Sequence, residues 1–471
     1  MSIASSQAAA LFAGDIQLGA GRVDCRHPEA LQSEKMDRLV HLAVFGDAPD
    51  QVEARELLWG LGQAMGARAA SIHDLYLARG RDECHRFTVP AINVRMMAYD
   101  TARAVFRAAK ARDAGTIILE IARSEIAYTD QRPAEYVAVM IGAALREGYH
   151  QPLFIQGDHC QVNAKKYQAN PQGEVNEVKN LIGEEIAAGF FNIDVDTSTL
   201  VDLSFPALDE QQRANYERAA EMTRFIRERE PEGITVSVGA EIGEVGFKNS
   251  TVEELHAFMD GYNRAIAPLS REQGISKISV QTGTSHGGVV LPDGSIAAVK
   301  LDLAALEALS QSARKDYGLG GAVQHGASTL PSNAFGNFAR IETAEIHLAT
   351  NFQNMIFDHP ALPADLRQRM YRWLDANAAS ERKDGDSDEQ FYYKARKKAI
   401  GPFKREVWEL PQDVRQQIGA DLERTFGFLF DQLCVGGTAE LVRRFVDAPG
   451  LKYGSLSHSG GLAKDDADAG E

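Results

Sequence analysis

The run PLFIQGDHCQVNAKKYQANPQGEVNEVKNLIGEEIAAGFFNIDVD, residues 152–196, decides the fold. It opens on a β-rich stretch, PLFIQGD (152–158), and closes on another, FNIDVD (191–196). Between them NEVKNLIGEEIAAG is apolar along one face at helical spacing and ends on Gly189. Two strands joined by a crossover of that length read as a parallel pair, since antiparallel neighbours can be joined by a short turn. The same alternation continues outward. Upstream lie FTVPAINV (87–94) and TIILEI (116–121); downstream lie TVSVGAEI (235–242), KISVQTG (277–283), GAVQHG (321–326) and AEIHLAT (344–350). Amphipathic stretches such as DTARAVFRAAKARD, AEYVAVMIGAALREG, QQRANYERAAEMTRFIRERE and VEELHAFMDGYNRAI lie between the runs. This count predicts an α/β chain folded as a (β/α)8 TIM barrel, with a doubly wound open sheet as the alternative.

The barrel is expected over residues 86–351, preceded by an N-terminal helical extension (1–85) and followed by a C-terminal helical region (352–454) and a disordered tail (455–471). The formal net charge of −16 opposes non-specific binding to nucleic acid or anionic lipid, and no basic arm or recognition motif offsets it. No apolar stretch is long enough to span a bilayer, and the first residues lack the basic start of a secretory leader, so a cytoplasmic location is expected. The four cysteines are widely spaced with no CxxC pair, which argues against a zinc ribbon or a redox dithiol.

In a β/α barrel the chemistry sits at the C-terminal strand ends. There the sequence places Gly157-Asp158-His159 on the third run, Glu241 on the fifth, Thr284-Ser285-His286-Gly287-Gly288 after the sixth and His325-Gly326-Ala327-Ser328 on the seventh. A lone histidine is ordinarily solvated or hydrogen-bonded with no ligand role. Three at three strand ends form a catalytic zinc set, because neutral imidazole suits a borderline metal and leaves a position for substrate oxygen. Glycines after His286 and His325 allow backbone N–H groups to approach an anion, so Gly326, Ser328 and Thr329 are candidates for a phosphate cradle.

GDH at 157–159, AEIG at 240–243, TSHGGVVLPDG at 284–294 and HGAS at 325–328, with PAINV at 90–94 and FNIDVDTSTL at 191–200, resemble the class II fructose-bisphosphate aldolase family over roughly residues 86–351. The resemblance implies that His159, His286 and His325 bind zinc, with Glu241 as an alternate ligand, and that Asp158 is the acid/base at the aldehyde-derived hydroxyl. It implies that the metal polarises a ketose carbonyl and stabilises the enediolate left when the bond between C3 and C4 breaks. Gly287, Gly326 and Ser328 would hold the phosphate of a sugar phosphate, with a monovalent cation beside it. Asn93, Thr329, His347, Thr350 and Asn351 complete the expected substrate contacts. A homo-oligomer is expected, with no nucleic acid or membrane partner.

Three departures point to an altered substrate pocket. The family's strand-eight N-I-D-T-D motif is replaced by His347-Leu348-Ala349-Thr350-Asn351. The mobile loop that carries a proton-exchanging carboxylate reads Gly246-Phe247-Lys248-Asn249-Ser250, which leaves Glu244, Glu253 or Glu254 as the base, Glu244 being the one assigned. Ala122 replaces a phosphate-touching serine. Arg123 is a candidate anion contact in its place, and the basic run 394–398 reads as a solvated helix face, with contact to a second phosphate in a neighbouring subunit as the alternative. Two other functions fit less well. A metal-dependent hydrolase would usually show an H-x-H element on an early strand, and a non-catalytic partner subunit of an aldolase has no reason to keep Asp158 and three histidines.

Overall fold

The computed structural model describes residues 6–19, 22–243, 248–283, 291 and 301–453. Eight parallel strands close into a barrel: β1 (Val89–Asn93), β2 (Ile118–Ala122), β3 (Leu153–Gln161), β4 (Asn192–Asp196), β5 (Ser237–Glu241), β6 (Lys277–Val280), β7 (Ala322–Gln324) and β8 (Glu345–Leu348). Each strand pairs with the next in sequence, and closure comes from β8 lying beside β1, with His347 opposite Ala91 and Leu348 opposite Ile92. All eight predicted runs are therefore strands, and the barrel rather than the open sheet is the fold. Apart from His159 and Gln161 at the end of β3, which are partly buried, every strand residue is buried, as parallel strands covered on both faces must be.

The N-terminal extension is not wholly helical. Ile16–Gly19 pairs antiparallel with Arg22–Cys25 ahead of two helices, Glu34–Phe45 and Ala48–Met65, whose N-termini are capped by Ser33 and Asp47. Ala69–Ala70 then adds to the start of β3, opposite Leu153 and Phe154. The helix His73–Gly80 closes the bottom of the barrel, where Arg79 donates to the carbonyls of Gly320 (3.2 Å) and Phe87 (2.7 Å).

The C-terminal helices return over the barrel. Helix Gln412–Gln432 lies along helix Ala98–Lys110 and is tied there by Arg107 to Glu423 (2.6 Å), Arg112 to Asp431 (2.7 Å) and Arg415 to Asp100 (3.3 Å). The end of the described chain reaches the N-terminal extension: Trp59 Nε1 donates to the Leu451 carbonyl (2.9 Å) and Arg68 to that of Ala448 (3.0 Å). Among the described residues no helix is long and apolar enough to cross a membrane.

Candidate active site

The barrel interior departs from the usual layers of branched aliphatic side chains. Its middle layer is ionic. The Lys277 ammonium, fully buried, donates to Glu345 (2.5 Å), Gln156 (2.7 Å) and Asp194 (3.0 Å). Gln156 donates in turn to Glu120 and Glu345, both at 2.9 Å, and Tyr76 from the bottom helix donates to Glu345. Burial opposes charge on both sides of this lattice, yet Asp194 and Glu345 hold the Lys277 pKa above its ordinary value and Lys277 draws Glu345 down to about 2. Gly239 makes room for the lattice: a Cβ there would stand 2.2 Å from Asp194 Oδ1 and 2.9 Å from Lys277 Cε.

Above the lattice the C-terminal strand ends bring together imidazoles and carboxylates. The β3–β4 pairing shifts register between Gly157 and Cys160, and within that irregularity His159 takes a left-handed backbone, φ 41°. A β3 side chain held in so sparsely populated a conformation is over-determined by its surroundings, as at many functional sites. Its Nδ1 lies 3.3 Å from Asp196 and 3.6 Å from Glu241, and its Nε2 lies 3.7 Å from Asp158. His325, at the end of β7, sets Nε2 2.9 Å from the Ser279 hydroxyl. The His325 ring centroid is 4.2 Å from that of His159 and 4.0 Å from that of His347.

Donor atoms of His159, Glu241 and His325 lie within 4.8 Å of one another, as do those of Asp158, His325 and His347, and those of Glu120, Glu345 and His347. The first trio, two imidazoles and a carboxylate at the mouth, fits a divalent cation. The electrostatics agree. Burial, then the charge of Asp196, pushes Glu241 up to about 8, and burial, then Asp158, pushes Glu120 up to about 7. Against the same burial, Asp158 holds the His159 pKa well above its ordinary value and the hydrogen bond from His159 draws Asp196 down to about 2. A buried acid cluster short of positive charge takes up protons, and a cation relieves it in the same way.

The remaining sequence-derived residues distribute as follows. Asp158 and Glu241 are buried at the mouth. Asn93 ends β1, buried, and its Oδ1 accepts from Arg95 (3.1 Å). Gly326 has φ 67° and leads the short 3-10 turn Ala327–Thr329, the left-handed turn that glycine favours. Ser328 and Asn351 line a cavity of about 650 Å³ between the β7 and β8 ends and helix Gln412–Gln432, together with Asn354, Tyr393, Asp421 and Arg424. Thr350 opens helix Thr350–Phe357. His347 is buried beneath His325, in contact with Asp158, Glu120 and Glu345. Glu244, His286, Gly287 and the Thr329 side chain lie outside the described residues.

Three expectations are corrected. Arg123 is a buried structural cation, bound to Glu174 (2.7 Å), Glu177 (3.2 Å) and the Gln161 carbonyl (2.7 Å). Glu254 is occupied in the capping box of helix Val252–Ala265 and by Lys248 at 2.5 Å. The basic run is not a solvated face: Arg396 is buried over the rings of Phe357 and Tyr393 and bonded to Asp358 (2.8 Å), and burial, then Arg95, brings Lys397 down to about 8. The sequence reading passed over Glu120, Asp194, Asp196, Lys277, Glu345 and Arg95. All but Arg95 are charged residues on the alternate strands β2, β4, β6 and β8, which only closure of the barrel brings together.

A closed β/α barrel whose imidazoles and carboxylates converge at the C-terminal strand ends defines an enzyme scaffold. The model of the class-II fructose-bisphosphate aldolase family matches residues 81–407, and the chain belongs to that family as a divergent member. Among solved structures it is similar to a probable tagatose 6 phosphate kinase from Sinorhizobium meliloti (15% identity, 76% of this chain and 99% of that one, TM-score 0.52). It is also similar to a fructuronate-tagaturonate epimerase from Cohnella laeviribosi (12% identity, 91% and 90%, TM-score 0.52) and a fructose-bisphosphate aldolase from Campylobacter jejuni (18% identity, 80% and 95%, TM-score 0.45). At such identities the likeness speaks for the fold alone. No curated protein matches the chain by sequence.

Proposed function

We propose that the protein is a zinc-dependent class II aldolase that breaks or makes a carbon–carbon bond in a ketose phosphate. The observation that carries this reading is the donor trio His159, Glu241 and His325 standing beside buried Asp158 at the barrel mouth. His286, expected from the sequence to join the trio, follows β6. When bound there, a divalent cation supplies Lewis-acid polarisation of the substrate carbonyl.

The chain's own groups do the rest. Asp158 takes the proton of the C4 hydroxyl as the bond between C3 and C4 breaks, so that an aldehyde leaves and the electron pair stays on the ketose-derived half, which takes a proton at C3 from a loop carboxyl group, Glu244 in the sequence assignment. In the synthetic direction the proton returns from Asp158 to the new hydroxyl. The carboxyl is aimed by His347, 3.1 Å away. Gly326 and Ser328 hold the phosphate at the β7 turn, with Asn351 across the cavity. Arg95, beside Asn93, is paired with buried Glu125, so the cationic character near the end of β1 comes from Lys397 beside that pair.

The test is turnover of the zinc-loaded chain on a panel of ketose mono- and bisphosphates with and without chelator. Chelator-sensitive release of a triose phosphate supports the aldolase, whereas tightly bound zinc with no cleavage of any panel member overturns it. A second reading, epimerisation of a sugar acid, is favoured by one observation: Ala122 stands where a phosphate-touching serine is expected, while Lys397 suits a carboxylate as well as a phosphate. It predicts conversion of a hexuronate without fragments.

A further inference from the structure

Regular strand geometry forbids what the mouth requires of β3. Successive side chains on a strand point to opposite faces. Asp158 and His159 are neighbours, yet both serve the mouth, Asp158 at 3.1 Å from His347 and His159 at 3.3 Å from Asp196. The chain meets this with one extra residue: Gly157 pairs with Ile193 and Cys160 with Val195, three steps along β3 against two along β4. A bulge of this kind re-aims a side chain and interrupts the ladder that would otherwise hold the strand. His159 carries the left-handed turn, φ 41°.

Behind the bulge stands Glu185, on helix Pro171–Ala188. A Cβ on Gly157 would lie 2.5 Å from Glu185 Oε2 and 2.8 Å from its Cδ, so the carboxyl fills the space that the glycine leaves. Cys160 Sγ donates to the same Oε2, 3.2 Å away. Both residues that flank the turn therefore rest on one carboxyl group. Glu185 is fully buried, and its Oε1 has no hydrogen-bond partner. Arg132, whose charge reaches it, is bonded to Glu184 instead (3.1 Å). Burial pushes Glu185 up to about 8, which makes it a neutral carboxylic acid at pH 7. An aliphatic side chain would fill the same space without the cost of desolvating a polar group.

We propose that Glu185 is a positioning residue, which spans the β3 bulge from behind and so turns Asp158 and His159 together into the mouth. It touches neither substrate nor metal and acts through Gly157 and Cys160. The inference rests on the roles given above to His159 as a metal ligand and Asp158 as the proton acceptor. Because the group works uncharged, an amide of the same shape can replace it, whereas an apolar side chain of similar volume cannot take the Cys160 hydrogen bond.

The test is titration of the metal-stripped full chain with Co2+, followed by its d–d absorption and by metal content after dialysis. Glu185→Leu keeps the space filled and loses the hydrogen bond. Its Co2+ affinity falls at least about tenfold and its absorption band shifts, as when a group that orients a metal ligand is removed. Glu185→Gln keeps wild-type affinity and band. Ile182→Ala, buried one turn earlier on the same helix, loses stability and keeps both. Glu185→Ala is the second substitution should Glu185→Leu fail to fold, checked by circular dichroism. Wild-type binding in Glu185→Leu, or an equal loss in Glu185→Gln or Ile182→Ala, overturns the positioning role while leaving the aldolase reading untouched. A wild-type chain that binds no Co2+ overturns both.

Discussion

The two halves of the barrel interior are built from the same residue types and behave differently. Below His347, Lys277, Gln156, Asp194, Glu345 and Tyr76 are bonded to one another, the ammonium alone contacting three partners within 3.0 Å. Above it, His159 makes longer, shared contacts with Asp158, Asp196 and Glu241 and does so from a left-handed backbone. A closed network fixes geometry, whereas an open one leaves donor atoms to be completed by a ligand. The lower half therefore acts as a scaffold whose loss costs stability, and the upper half as machinery whose loss costs turnover.

The sharpest way to break this comparison is Lys277→Met. It leaves Asp194 and Glu345 buried without their counter-ion, and the expected loss is about 3–5 kcal/mol in urea unfolding, a large part of a typical domain's stability. An unchanged midpoint would show that the lattice is not a scaffold. Asp158→Asn tests the upper half. It removes the proton acceptor, and kcat on the best panel substrate should fall about 10²- to 10⁴-fold in the zinc-loaded chain with a far smaller change in unfolding free energy. An unchanged rate would remove Asp158 from the mechanism.

The bottom of the barrel offers a pH test of the same division. Burial, then the charge of Arg227, lowers the pKa of His73 from 6.5 to about 4, and its Nε2 lies 2.8 Å from the Glu272 carbonyl. Between pH 6.5 and 4 the unfolded chain binds a proton that the folded chain refuses. Stability therefore falls as pH is lowered through that window, by up to roughly 3 kcal/mol, and is fully present above it. His73→Gln should flatten the slope of unfolding free energy against pH by about one proton, without moving KM. An equal slope in the variant would refute the assignment.

How much of this was legible in the sequence follows from the physics of each signal. The strands were legible because parallel strands are apolar on both faces and bounded by turn residues, as TIILEI and FNIDVD are. His159 and His325 were legible because each stands at the end of such a run, His159 in Gly157-Asp158-His159 and His325 followed by Gly326. The ionic lattice was not, since Glu120, Asp194, Lys277 and Glu345 lie on four separate strands and a single charge in a strand reads as one exposed position. Only closure of the barrel sets Lys277 against Asp194, 83 positions earlier, and Glu345, 68 later. His347 was read as a substrate contact because it opens the run that stands where the family has its strand-eight motif, and Glu345 lies before that run. The pairing of Ile16–Gly19 with Arg22–Cys25 was missed because four-residue strands carry too little periodicity to be told from the start of a helix.

The smallest effect is expected at the rim, where the comparison can be sharpened. Ser328 follows left-handed Gly326 and faces the 650 Å³ cavity that helix Gln412–Gln432 closes from the far side. It lies outside both the lattice and the donor trios. Ser328→Ala should leave unfolding free energy within about 0.5 kcal/mol of wild type, as substitutions away from buried features usually do. If the hydroxyl contacts the substrate phosphate, the variant loses one charge-assisted hydrogen bond of about 1.5–3 kcal/mol, so KM rises roughly 10- to 150-fold with little change in kcat. A fall in kcat at constant KM would instead move Ser328 into the reacting centre. A change in neither would place the phosphate elsewhere, with Lys397, on the 3-10 turn Arg396–Ala399, as the next group to substitute.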